Sequence, residues 1–241
     1  MTGDDDLAPF PDDWERALAV VAHPDDMEYG GAAAVARWTA EGRSVAYLLL
    51  TRGEAGIDGM DPAEAAAVRV AEQRASATVV GVEVVEFLDH PDGMLEYGLP
   101  LRRDIAAAIR RHRPDVVLAV NHRETYGGFH LNMADHRVAG QATLDAVRDA
   151  ANRWVFRELA DGGLEPWHGV RHVAVVASPR ATHAVDVTAT FDRGVESLRR
   201  HAVYLASLGD PDPAAFLRSG AETTGARFGG RLSVGFELVG V

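Results

Sequence analysis

Short apolar runs alternate along this chain with longer stretches in which small apolar residues recur at helical spacing. Residues 16–23 carry the first run, and its continuous segment from Leu18 to Ala22 suits a strand buried on both faces. Similar runs predict strands over 44–51, 82–88 and 115–121. The stretches between them predict helices over 27–40, 63–79 and 101–112, with Gly42, Pro62 and Pro114 as their punctuation. A helix over 134–151 follows a loop over 121–133, and a loop of that length inside a compact domain is unusual unless it has work to do. Beyond it the pattern predicts strands over 171–177 and 183–187 and a helix over 191–205. Residues 228–239 have glycine and only partial alternation, and read equally as an edge strand or an irregular tail.

Strands that alternate with helices at this spacing imply βαβ units with right-handed crossovers. The expected fold is therefore α/β: a Rossmann-like, three-layer α/β/α sandwich around a mostly parallel sheet, with an irregular carboxyl-terminal part. No linker or charge block divides the chain, so 1–241 reads as a single domain, with 1–14 as a mobile or loosely docked leader. For an open sheet of this kind the order of the five main strands is taken as 3-2-1-4-5. That order makes the first and fourth neighbours and puts a binding crevice beyond their carboxyl ends.

The first strand ends in the densest chemistry of the chain. His23, Asp25, Asp26 and Glu28 crowd into six positions around Pro24, which fixes its own φ and keeps His23 out of the α region. Two readings are open at this level. The carboxylates could do no more than cap the following helix, or the group could bind a metal and move protons.

Composition narrows the choice. The chain has no cysteine, which excludes disulfides and thiolate metal sites and leaves His, Asp and Glu as ligands. A formal net charge of −12 argues against nucleic acid, because phosphate binding needs a basic surface. The Arg102, Arg103, Arg110, Arg111 and Arg113 cluster reads as a solvated helix face. Apolar runs are strand-sized, so no membrane span is expected, and the acidic start of the chain carries no export signal, which points to the cytoplasm.

The segment Ala22-His23-Pro24-Asp25-Asp26-Met27-Glu28 resembles the Ala-His-Pro-Asp-Asp-x-Glu signature of the LmbE-like, or PIG-L-like, family of zinc-dependent N-acetylglucosaminyl deacetylases. The expected strand order brings His23 and Asp26 beside His136, and two histidines with one aspartate suit Zn²⁺ with a position left open for water. The resemblance implies the same set: Asp135-His136 is similar to the tail of the family's second motif, whose last histidine is the third zinc ligand. It makes Asp25 the general base. Asp135 is then expected behind the ligands, holding one histidine in a single tautomer, although an ordinary first-turn aspartate is an equal reading. Thr51-x-Gly53-Glu54-x-Gly56, Arg69-x-x-Glu72 and Asp92-Gly93 resemble three further family segments, which implies that Glu54, Arg69 and Asp92 hold the sugar. One position departs from the pattern. Met133 stands where the family motif begins with histidine, and His130, on a glycine-flanked loop, is the candidate catalytic replacement.

The expected activity is removal of an acyl group, acetyl foremost, from the amide nitrogen of a small-molecule amino-sugar or related glycoside, with one zinc ion per chain. An amidase acting on a larger sugar conjugate and a non-catalytic metal- or carbohydrate-binding homologue are the alternatives, the second favoured by Met133. Two histidines and a carboxylate also make the ferrous oxygenase triad, but no run of jelly-roll strands accompanies them. Gly30-Gly31 opens no dinucleotide fingerprint. A homo-oligomer is compatible with the family.

Overall fold

The computed structural model describes residues 6–209 and 212–241. Its strands are β1 (Ala8–Pro9), β2 (Arg16–Val21), β3 (Ser44–Leu49), β4 (Val84–Phe87), β5 (Val116–Val120), β6 (Thr125–Tyr126), β7 (His130–Leu131), β8 (His172–Val176), β9 (His183–Asp186) and β10 (Ser233–Gly240). Its helices are α1 (Asp26–Gly30), α2 (Ala32–Ala40), α3 (Pro62–Val79), α4 (Leu99–His112), α5 (Ala134–Ala151), α6 (Arg157–Asp161), α7 (Phe191–Arg199), α8 (Ala202–Leu208) and α9 (Ala214–Ala226).

The main sheet runs β1-β9-β10-β8-β5-β2-β3-β4, and β8, β5, β2, β3 and β4 are parallel neighbours. Counted as the five main strands, this is the expected order 3-2-1-4-5. The chain leaves β2 toward β3 on one side and later returns to β5 on the other. Right-handed crossovers then put the helices on both faces, and the crevice opens above β2 and β5. Buried β5 and β2 residues such as Leu18, Val20, Val117 and Leu118 lose all solvent contact, which is why both strands read as unbroken apolar runs. Asp61 caps α3 by accepting from the Ala63 amide at 2.9 Å, with Pro62 in the first turn, where a missing N–H costs nothing. No helix among the described residues is long and apolar enough to cross a membrane.

Several expectations need correction. The helix expected over 27–40 breaks at Gly31 into α1 and α2. At Gly30 a Cβ would lie 2.8 Å from Val176, so the helix approaches β8 where only glycine fits. The helix expected over 191–205 likewise turns at Arg200 and His201, and His201 becomes fully buried. Residues 228–239 are neither an edge nor an irregular tail: β10 is hydrogen-bonded on both sides, antiparallel to β8 and to β9. Helix α9 was not foreseen. Of the leader, 1–5 lie outside the described residues, but Leu7, Phe10 and Trp14 are buried. The Phe10 ring meets Phe236 edge-on at 5.1 Å and lies tilted against Trp38 at 5.2 Å, so aromatic burial docks a segment whose acidic residues concealed it. Arg110 is also no solvated residue. It is buried and donates to the carbonyls of Ala150, Asp149, Asn152 and Val155, closing the carboxyl end of α5.

Candidate functional site

The loop between β2 and α1 is held by its own side chains. The His23 amide donates to Asp26 Oδ2 at 2.9 Å, and the Asp25 amide donates to Gln73 Oε1 on α3 at 2.9 Å. Asp25 adopts φ 87°, a left-handed conformation uncommon outside glycine and tolerated best by Asp and Asn. The strain has a consequence: the turn lets Asp25 and Asp26 point to different partners although they are adjacent in sequence.

Three groups expected as metal ligands come together. His23 Nδ1 lies 3.2 Å from His136 Nε2 and 3.8 Å from Asp26 Oδ1, and His136 Nε2 lies 2.9 Å from Asp26 Oδ1. Tetrahedral zinc with ligands at about 2.0–2.1 Å spaces its donor atoms roughly 3.4 Å apart, so this triangle fits such an ion with little movement. The charges agree. Four carboxylates, those of Asp25, Asp26, Asp92 and Asp135, gather around His23 and His136, with the Arg69 guanidinium 3.4 Å from Asp25.

The other side of the His23 ring is also engaged. Its Nε2 lies 3.2 Å from Asp135 Oδ2 and 3.1 Å from Asp92 Oδ1. Asp135 already accepts from the amides of Gly93 and Leu95, at 2.7 and 3.1 Å, and Asp92 accepts from the Ala55 amide at 2.7 Å. These carboxylates are therefore placed to accept the Nε2 proton of His23 and leave Nδ1 free for a metal. Burial works against the charged form of His23, yet the hydrogen bonds it makes to Asp135, Asp26 and Asp92 hold its pKa well above the usual value. Burial alone raises an aspartate, but in Asp26 the charge of His136 overcomes it and keeps the carboxylate ionised.

Asp25 is different. It is buried, its Oδ2 has no hydrogen-bond partner, and the Arg69 guanidinium approaches no nearer than 3.4 Å. Burial pushes its pKa well up, against the pull of Arg69 and with a further push from Asp26. A carboxylate with high proton affinity thus lies next to the ligand triangle without belonging to it.

The residues expected to hold a sugar are placed unevenly. Asp92 reaches the cluster through His23. Glu54 accepts from the amides of Arg52 and Asp92 at 3.2 and 2.9 Å, so it braces two loops. Arg69 is buried rather than open to a ligand: it donates to the Pro24 carbonyl at 2.5 Å and stacks 3.6 Å from the Tyr204 ring. The glycine loop closes over it, because a Cβ at Gly56 would lie 2.4 Å from Arg69 Nη1. His130 is exposed on the β6-β7 hairpin with its ring 4.2 Å from that of Phe129, and no contact joins it to His23, Asp26 or His136. Met133 is exposed.

Sequence reasoning missed Tyr126, whose hydroxyl hydrogen-bonds to His136 Nδ1. It also missed Gln73 and Ser76, both of which donate to Glu28 Oε1, at 2.8 and 2.7 Å. The second miss had a signal: Arg69, Gln73 and Ser76 fall at i, i+4 and i+7 on one face of α3. Tyr126 had none beyond its place in a long loop.

The chain is similar to known deacetylases in sequence and in fold. A diacetylchitobiose deacetylase of Thermococcus kodakarensis is 32% identical over 195 residues, covering 80% of this chain and 71% of that protein. A 1D-myo-inositol 2-acetamido-2-deoxy-alpha-D-glucopyranoside deacetylase of Kineococcus radiotolerans is 29% identical, over 87% of this chain and 63% of its own length. The solved structure of the N,N'-diacetylchitobiose deacetylase of Pyrococcus horikoshii superposes with a TM-score of 0.84 at 25% identity, covering 95% of this chain and 85% of that one. Residues 18–147, from β2 through most of α5, match the family model described as PIG-L, GlcNAc-PI de-N-acetylase, and the chain belongs to that family.

Proposed function

We propose that this chain is a zinc-dependent hydrolase that removes the acetyl group from the amide nitrogen of a small molecule bearing an N-acetylated glucosamine unit. The observation that carries the reading is Asp25, a buried carboxylate with an unpartnered oxygen beside three metal-capable donors. His23, Asp26 and His136 are the groups that would hold the ion. Zinc bound there supplies Lewis acidity toward the amide carbonyl and lowers the pKa of the attacking water. Asp25 accepts a proton from that water as its oxygen bonds to the carbonyl carbon, then passes the proton to the amide nitrogen as the C–N bond breaks. The products are acetate and the free amine. Asp92 and Asp135 hold His23 in one orientation throughout, and the charge of Arg69, 3.4 Å from Asp25 Oδ2, favours the ionised carboxylate that accepts the proton.

The relatives' substrates support an N-acetylglucosamine unit, and the zinc geometry of the donor triangle supports the metal. The decisive experiment loads the protein with one equivalent of zinc and measures amine release from N-acetylglucosamine, diacetylchitobiose and simple glycosides. Activity that a chelator abolishes and zinc restores is the expected result. Stoichiometric zinc with no amine released from any of these substrates overturns the reading. It would favour a binding module instead, the reading that Met133 in place of the family histidine supports.

A further inference from the structure

A cavity of about 480 Å³ opens beside the metal-capable cluster, between α1, the end of β8, α7 and α9. Tyr29, Gly30, Gly127, Ala177, Val195 and Phe216 line it. Two elements carry residues of both the cavity and the site. Helix α1 begins at Asp26 and delivers Gly30 to the cavity, and four residues of helix rise only about 6 Å. The hairpin that places Tyr126 on His136 places Gly127 on the cavity rim.

The polar groups of the wall are largely committed. The Ser178 hydroxyl donates to Glu237, the Thr223 hydroxyl to the Ser219 carbonyl at 2.8 Å, and the Ser233 hydroxyl to the Arg231 carbonyl at 2.9 Å. Glu28 turns its carboxylate inward to Gln73 and Ser76. A sugar or polyol buried here would leave hydroxyls unpaired, which is costly, whereas an apolar group would not. Phe216 is 63% exposed and meets the Tyr29 ring edge-on at 6.0 Å, so the mouth already presents two aromatic rings.

We propose that this cavity receives an apolar aglycone, an alkyl or aryl group glycosidically attached to the N-acetylated glucosamine. The proposal rests on the deacetylase reading for the identity of the headgroup. Because the acyl group is acetyl in that reading, the glycosidic substituent is the part of the substrate with the length to reach the cavity.

The test is calorimetric binding of N-acetylglucosamine, its methyl β-glycoside and its octyl β-glycoside to the zinc-loaded protein, alongside N-octanoylglucosamine. The octyl glycoside should bind at least about tenfold tighter than the methyl glycoside, since a few buried methylenes suffice for that ratio. Gly220→Leu adds a side chain to the cavity wall at a position with nothing within 4 Å of its Cβ, and should bring the octyl-to-methyl ratio near one. Phe216→Ala, at an exposed position that the fold does not need, should lower the same ratio severalfold. Equal affinity for the two glycosides overturns the proposal. So does a preference confined to N-octanoylglucosamine, which would assign the cavity to an acyl chain. A flat ratio together with a change in sedimentation for Gly220→Leu or Phe216→Ala would give the face to a second copy of the chain. Octyl preference without amine release from any substrate retains the cavity and removes the deacetylase reading, so the two failures are separable.

Discussion

The hydroxyl of Tyr126 hydrogen-bonds to Nδ1 of His136, while Nε2 of the same ring faces Asp26 at 2.9 Å. A hydroxyl can serve either tautomer. It donates to Nδ1 when Nε2 carries the proton, and accepts from Nδ1–H when Nε2 is given to a metal. Tyr126→Phe removes that partner and should weaken zinc binding by about 10–100-fold, the usual effect of losing a group that orients a metal ligand. Competition with a zinc-chelating indicator measures it. His136→Ala should lose stoichiometric zinc altogether while the protein stays folded by circular dichroism, because the cluster sits on the ends of strands whose core is elsewhere.

Asp25→Asn should retain zinc and lose about 10² or more in kcat, the scale expected for removal of a general base. Asparagine is the right replacement here because residue 25 has φ 87° and Asn tolerates that conformation, whereas alanine would add backbone strain to the loss of the carboxylate. Zinc content by elemental analysis and kcat on one substrate decide the matter. Zinc lost together with activity would make Asp25 a ligand.

His130→Ala should leave kcat within about twofold. The residue is exposed, its ring rests on Phe129, and no contact links it to the donor triangle. A large fall in kcat with zinc intact would show that the hairpin closes over the substrate and brings His130 into the reaction.

Glu28 has a pH-dependent role in stability. It is fully buried, and burial raises its pKa to about 7 despite hydrogen bonds from Ser76 and Gln73. Its Oε2 is unpartnered, with His201 Nε2 at 3.9 Å. A carboxyl whose folded pKa is raised favours the folded state most below its unfolded pKa, near 4.5, and that contribution is lost as pH rises through about 7. The loss amounts to roughly 3 kcal/mol. Glu28→Gln keeps an acceptor for Ser76 and Gln73 and removes the ionisation. Its melting temperature relative to wild type should therefore rise between pH 5 and 8, and a pH-independent difference would refute the assignment.

Legible in the sequence were the alternation of strands and helices and, once the strand order 3-2-1-4-5 is assumed for such a fold, the meeting of His23 and Asp26 with His136 across 113 residues. These were legible because periodicity, proline and glycine act over a few residues, and because the crossover rule turns local elements into neighbours. The roles assigned to single side chains were less legible. Arg69, Glu72 and Gln73 share a helix, yet only the packing of that helix on the His23 loop and on α8 puts Arg69 on the Pro24 carbonyl, Glu72 on the Val203 amide and Gln73 on the Asp25 amide. Tertiary structure alone decided that both Asp92 and Asp135 face one ring nitrogen of His23, that Tyr126 supports His136 while His130 stays outside, and that β10 fills a gap between β8 and β9. Strand alternation marks which face of a segment is apolar but not which strand it pairs with, and a loop side chain reaches its partner through the register of elements far away in sequence. The docking of Phe10 and Trp14 follows the same logic, since aromatic burial against Trp38 and Phe236 depends on a surface that exists only once the sheet has formed.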